Sequence, residues 1–143
     1  MRKKILWKVC LVLLPAIAVS IGAVPGTVLV WSEGTPIQAF SYFDMLPEGA
    51  PQLATAFAGL MAVICTGLGV GYAVSEKPYW LKGVFWTAFA SLFVAVLPYV
   101  VKTELHAVPN VLFPVIMGIE CLAARMRGKE REEKAEGNRL QAR

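Results

Sequence analysis

The chain has 143 residues, of which 57% are hydrophobic and 17% are charged, and its mean hydropathy is +0.58. Soluble domains carry about 25% charged residues, and here the apolar excess is gathered in long blocks, so the composition excludes an ordinary soluble domain. Three cysteines within or beside those blocks and a single histidine disfavour a disulfide framework, a zinc site and a dithiol redox centre.

The first apolar block, residues 9–31, follows a basic start that ends at Lys8. A basic start before an apolar run is also typical of a secretory signal, and Ala18-Val19-Ser20 offers small residues at cleavage spacing. The uncharged run is longer than the apolar region of a signal, which has about 7–15 residues. We therefore predict a retained first membrane span over 9–31, with Pro15 and Pro25 kinking it or marking its outer end.

Residues 31–50 form a longer connection in which Thr35-Pro36 is typical of a helix start. Apolar side chains then recur every three residues and predict a short amphipathic helix at the membrane–water interface. Its apolar face would comprise Ile37, Phe40, Phe43 and Leu46. Such a helix could be a lid or partner-docking face on the outer side, or a connector that covers the rim of the helices.

The second block, residues 51–75, has no charge and is long enough to cross a bilayer with some tilt. Small residues recur in it at four-residue steps, interrupted only at Val63, which we interpret as one face of a helix that another helix can approach closely. They are Thr55, Gly59, Gly67 and Gly71. This face could pack against other helices of the same chain, form the contact of a homodimer, or line a path for a substrate.

The third block, residues 83–101, is uncharged up to Val101 and repeats the pattern of small residues. Its members are Gly83, Thr87, Ser91 and Ala95, each four residues after the last. The turn at 76–82 between the second and third blocks is short. We therefore predict that the two spans form an antiparallel hairpin through their small-residue faces.

The fourth predicted span, 106–124, is interrupted by Pro109 and Pro114 and carries Glu120 near its inner end. A charge at this depth is costly unless it is paired or close to the interface. We predict an ion pair between Lys8 and Glu120 that joins the first and last spans, with a Glu120 side chain that reaches the interface as the alternative. Residues 125–143 are predicted to be a charged cytoplasmic tail.

Basic residues are distributed unevenly between the two sides of this topology. Thirteen of the fourteen Lys and Arg residues fall in the N-terminal segment, the 76–82 turn and the tail, and Lys102 alone falls on the other side. The positive-inside bias therefore predicts that both termini are cytoplasmic and that the number of spans is even. We expect an integral protein of the plasma membrane.

The sequence thus predicts an all-α integral membrane protein, a four-transmembrane-helix bundle with an interfacial helix in the first outer loop. No Ser–His–Asp, Cys–His or metal-ligating arrangement is compatible with this topology, so we predict no enzyme, cofactor or metal site. The tail lacks aromatic stacking groups, which disfavours nucleic-acid binding. The partners expected are the lipid bilayer and other membrane proteins or a second copy. The leading function is a non-catalytic accessory or interaction subunit, and the alternative is a small transporter or channel that acts as a homo-oligomer.

Overall fold

The computed structural model describes residues 2–31, 36–44, 50–100 and 106–141, and these ranges are mostly helical. The helices are α1 (Arg2–Gly22), α2 (Ala50–Ser75), α3 (Pro78–Val100) and α4 (Leu112–Gln141), and the strands are β1 (Val28–Trp31), β2 (Gln38–Phe40) and β3 (His106–Pro109). Three helices are long and apolar enough to cross a membrane, at Lys4–Gly22, Leu53–Ser75 and Pro78–Val100. These helices indicate a membrane protein.

The helices pack in a ring in which α1 and α3 each contact both α2 and α4. In each helix, one series of buried positions recurs at alternating steps of three and four residues, an average of 3.5 that keeps the series on one side of the helix. They are Leu11, Pro15, Ala18 and Gly22 in α1; Thr55, Ala58, Ala62, Cys65, Gly69 and Tyr72 in α2; Leu81, Val84, Ala88, Ser91 and Ala95 in α3; Phe113, Met117, Glu120, Ala124 and Arg127 in α4. We call this pattern the 3–4 repeat.

The four-residue ladder predicted for the second span does not stay on one face of α2. Four residues turn a helix by about 400°, so every such step moves about 40° around it. From Thr55 to Gly67 the displacement is about 120°. Thr55 is accordingly buried, whereas Gly67 is exposed and no atom lies within 4 Å of the position that a Cβ would take. Gly67 therefore takes no part in packing within the described chain.

A three-stranded antiparallel sheet joins the two connections at one end of the helices, in the order β2-β1-β3. Val28 of the central strand pairs with Phe40 on one side and with Pro109 on the other. The β-branched run of β1 follows a turn in which Gly26 has a φ of 90°, a conformation that favours glycine. The all-α prediction is corrected by this sheet.

The predicted interfacial helix is wrong for the residues that the structure describes. Residues 36–44 form β2 and a turn, because their backbone groups pair with β1 instead of with one another. Ile37 is 67% exposed and Phe40 is half-buried, so they do not form one apolar face. Leu46 lies outside the described residues.

The predicted bounds hold for one span and shift for the others. The helix α2 begins one residue before the predicted 51–75. The helix α1 ends at Gly22, before the Pro25-Gly26 turn, and β1 occupies the end of the predicted 9–31. The predicted third span is 83–101, but the helix α3 begins earlier, at Pro78, a residue suited to the first helical position. The predicted fourth span is 106–124, but β3 occupies its start. The helix α4 begins after β3 and continues through the predicted tail to Gln141.

The described residues divide into two ends. The N-terminal part of α1, the α2–α3 turn and the C-terminal half of α4 meet through contacts of Lys8 and Arg131 with Glu76, and we call this the basic end. The sheet lies at the opposite end, where Tyr42 bonds to Gly22 and Asn110. We call it the sheet end.

Candidate functional site

The contact between α2 and α3 contains polar side chains that bond to backbone. The Ser91 hydroxyl is fully buried and donates to the carbonyl oxygen of Ala58 at 2.8 Å, so it links the two helices. Thr87 donates within α3 to the Gly83 carbonyl at 2.8 Å, and Thr66 donates within α2 to the Ala62 carbonyl at 2.9 Å. The predicted small residue Ala95 is buried as well. Each of these hydroxyl groups therefore has a hydrogen-bond partner within the helices.

The predicted glycines have different neighbours. A Cβ on Gly83 would lie 3.2 Å from Leu68 of α2, so this glycine is part of the helix hairpin. A Cβ on Gly71 would lie 2.8 Å from the ring of Trp80. Gly59 instead contacts the first connection, because a Cβ there would lie 2.9 Å from the Phe43 ring. The structure thus brings together Gly59 and Phe43, which the sequence assigned to two separate surfaces.

Among the described glycines, Gly69 leaves the least room for a side chain, and the sequence did not point to this residue. A Cβ at this position would overlap the carbonyl oxygen of Leu11 in α1, so only glycine allows the two backbones this close. The signal that could have identified it is the 3–4 repeat of small residues in α2, in which Gly69 follows Cys65 by four residues. The four-residue ladder passes over this position.

The structure does not bring Lys8 and Glu120 together, and the predicted ion pair is corrected. The Lys8 ammonium lies 2.5 Å from the Glu76 carboxylate, because the lysine side chain reaches the water-exposed basic end, where Glu76 is the nearby acid. Glu120 is fully buried on the 3–4 repeat of α4, and its carboxylate oxygens make no hydrogen bond with any residue of the described ranges. An unpaired polar group at this depth is a candidate for function.

Glu76 holds three elements together at the basic end. Its backbone has a φ of 53°, outside the helical region, directly after α2 ends. The carboxylate pairs with Lys8 of α1, and the carbonyl oxygen accepts a hydrogen bond from Arg131 of α4. The hydrogen bond and the charge of Lys8 hold the pKa of this carboxyl below its ordinary value, so Glu76 is ionised at neutral pH. Nearby, the buried Arg127 donates to the Tyr72 hydroxyl at 3.1 Å.

Tyr42 connects the first connection at the sheet end to the helices. Its backbone N–H donates to the Gly22 carbonyl at 2.9 Å, its hydroxyl donates to the Asn110 carbonyl at 3.2 Å, and its ring stacks on Phe113 with centroids 4.2 Å apart. Burial is the main cause that raises the pKa of this hydroxyl above its ordinary value, so it is a neutral donor. The first connection is therefore tied to both α1 and α4 and is packed in place.

The outward side of α3 carries large aromatic side chains. Trp86, Phe89 and Phe93 are 64%, 46% and 63% exposed, and the Trp86 and Phe89 rings are in edge-to-face contact with centroids 6.2 Å apart. We call these three residues the α3 aromatic face. Aromatic side chains provide a large contact area at a small cost in side-chain entropy, which suits them to binding another protein or lipid.

Within the described ranges, no group of three His, Cys, Asp or Glu side chains is arranged to hold a metal ion. The arrangement offers buried packing contacts, one unpaired buried carboxylate and an exposed aromatic face. No protein-family model, no characterised protein and no solved structure matches the chain.

Proposed function

We propose that α4 is a fourth membrane span in addition to the three long apolar helices. Its exposed side is apolar over about four turns, while Glu120 and Arg127 are on the buried side and the exposed Arg125 lies near the end of these turns. The exposed apolar residues are Leu112, Val115, Ile119, Leu122 and Met126. An apolar outer surface around a more polar interior is what lipid surroundings favour, because charged groups in a bilayer are placed towards the protein.

Both termini and the α2–α3 turn are proposed to be cytoplasmic in the plasma membrane, with the sheet end outside. The support is the concentration of Lys and Arg at the basic end, including Lys77, Lys82 and the C-terminal half of α4. Cytoplasmic segments carry an excess of basic residues, and an even number of spans puts the two termini on the same side.

The function proposed within this topology is a non-catalytic accessory or interaction subunit of the membrane. The observation that carries it is the use of a polar group for packing between α2 and α3. The Ser91 hydroxyl is fully buried and is bonded to the Ala58 carbonyl oxygen. A hydroxyl that is buried and bonded to the facing helix favours a packing contact over a polar route for a substrate at this point. Because most of the predicted small residues pack inside the chain, with Gly67 as the exception, the surface proposed for a partner is the α3 aromatic face.

A small homo-oligomeric transporter or channel is the second candidate, and Glu120 is the observation that favours it. A buried carboxylate without a hydrogen-bond partner among the described residues is a feature of proton or ion pathways in membranes. In this case the path would open next to Glu120, and the exposed Gly67 on α2 would allow close approach of a second copy.

Photo-crosslinking in native membranes separates the two candidates. A benzophenone amino acid is placed at Phe93 on the α3 aromatic face and, as a matched control, at Ile17 on the outward side of α1, which is 46% exposed. We expect Phe93 to give one discrete adduct with another membrane protein and Ile17 to give none. An adduct with twice the mass of the chain would favour the homo-oligomer. Adducts with lipid alone at both positions would contradict the proposed partner surface.

A further inference from the structure

A groove of about 600 Å³ lies between the start of α3 and the C-terminal half of α4, at the basic end. Part of its lining is apolar and consists of Leu81, Phe85 and the exposed ring of Trp86. Gly128 leaves the α4 side of the groove open, because no atom lies within 4 Å of the position that a Cβ would take there. The groove therefore offers an elongated apolar guest access to α3.

The rest of the lining is mainly cationic. Lys82 of α3 and Arg125, Lys129 and Arg131 of α4 face the groove together with one acid, Glu132. Arg131 already donates to the Glu76 carbonyl. The remaining three cations make no ion pair or hydrogen bond with any residue of the ranges that the structure describes. Their charge is available for an anionic guest.

The groove also lies at a defined level of the helices. Lys82 is four residues after the first residue of α3, and Arg125 is next to Met126, the last residue of the exposed apolar stripe of α4. Phe85 and Trp86 are therefore on the hydrocarbon side of this boundary, and Lys82, Arg125 and Lys129 are at the boundary or on the headgroup side. A soluble anion would not require the aromatic part of the lining, and a purely apolar ligand would not require the cations.

We infer that this groove binds one anionic phospholipid of the leaflet at the basic end. The phosphate would be held by Lys82, Arg125 and Lys129, and an acyl chain would lie along Phe85 and Trp86. Basic pockets between membrane helices are suited to anionic headgroups, and apolar contact with the chain adds to the binding. The inference rests on the proposed fourth span, which puts the groove at a membrane boundary, but not on the choice between an accessory subunit and a transporter, since both could carry such a site.

Native mass spectrometry of the whole chain in detergent tests the site, with phosphatidylglycerol and phosphatidylcholine of the same acyl chains as probes. Lys82→Gln/Arg125→Gln removes two charges from the groove, and Lys134→Gln/Arg139→Gln removes one lysine and one arginine from exposed positions outside its lining. Gly128→Leu fills the groove without a change of charge. The melting temperature of every variant without added lipid verifies that it is folded.

We expect the native chain to prefer phosphatidylglycerol and Lys82→Gln/Arg125→Gln to lose about thirtyfold in its affinity, from about fivefold for each near-surface cation. The control pair should change that affinity less than about threefold, and Gly128→Leu should weaken binding of phosphatidylglycerol although all cations remain. Equal losses in the two charge pairs, or unchanged binding by Gly128→Leu, would overturn the site. Full competition by glycerol phosphate at the concentration of the lipid would assign the cations to a soluble phosphate and would also overturn it.

Discussion

At the level of one residue, Glu120 is a position where the fold carries an energetic cost. Its side chain is fully buried, is within electrostatic range of the Cys65 thiol, and has no hydrogen-bond partner in the described part of the chain. Burial of an unpaired polar group costs free energy in any folded protein. A residue of similar length without polar atoms would fit the same space at lower cost.

We expect Glu120→Met to raise the free energy of unfolding by about 1–3 kcal/mol, because it removes an unsatisfied buried group and nearly conserves volume. Glu120→Gln is the matched control, since it keeps the shape and leaves an amide without a partner, and it should give a smaller gain. Thermal unfolding in detergent at neutral pH measures both. Destabilisation by Glu120→Met would mean that the carboxylate is bonded in the folded protein, to an ion, a water molecule or another chain.

At the scale of the helices, the approach of α1 to α2 depends on one missing side chain. A Cβ at Gly69 would overlap the Leu11 carbonyl oxygen, and a backbone atom cannot move away as a flexible side chain can. Two residues earlier, no atom lies within 4 Å of the position that a Cβ on Gly67 would take. The two glycines therefore form a natural pair for comparison in the same helix.

We expect Gly69→Ala to lower the free energy of unfolding by about 1–3 kcal/mol, the usual cost of overpacking, because α1 must shift away from α2. Gly67→Ala should be neutral or should stabilise by up to about 1 kcal/mol through its higher helix propensity. Thermal unfolding of the two variants in detergent measures both effects. Equal effects of the two substitutions would show that α1 does not pack on Gly69.

The elements differ in how far local sequence patterns could predict them. The helix α2 was predicted to within one residue at its start, because its apolar run is uncharged from Pro51 to Ser75. The strand β1 was missed because its apolar residues continue a hydrophobic block, although the β-branched run after Pro25-Gly26 is a strand signal. Its partner β3 lies more than seventy residues away, and no local pattern contains that pairing.

Local sequence patterns predict the candidate site only in part, as they do the fold. Ser91 and Gly83, which the sequence assigned to the face of the third span towards the second, both lie in the contact between α2 and α3. The partner of Lys8 could not be predicted, because it depends on how far each helix is rotated and on where it begins. The start of α1 at Arg2 places Lys8 near the basic end, where Glu76 is in reach and Glu120 is not.

On the scale of the whole molecule, the number of spans decides on which side α4 ends. The three helices that are clearly long and apolar enough would, by themselves, leave the chain after α3 on the outer side. The structure instead packs α4 alongside α1 and α3 and joins its C-terminal half to the α2–α3 turn through Arg131. This packing supports the proposal that a membrane around these helices contains α4 as well, with its apolar stripe towards lipid.

Cysteine labelling in intact cells tests this topology in a chain whose three native cysteines are replaced by alanine. Ala39→Cys places an exposed thiol at the sheet end, and Glu132→Cys places one at the basic end. A maleimide that cannot cross membranes should label Ala39→Cys directly and Glu132→Cys only after permeabilisation, because four spans with a cytoplasmic basic end keep the second thiol inside. Labelling of both in intact cells would indicate three spans and an outer α4. Labelling of Glu132→Cys alone would keep four spans and invert the orientation, which would place the anionic lipid groove in the outer leaflet.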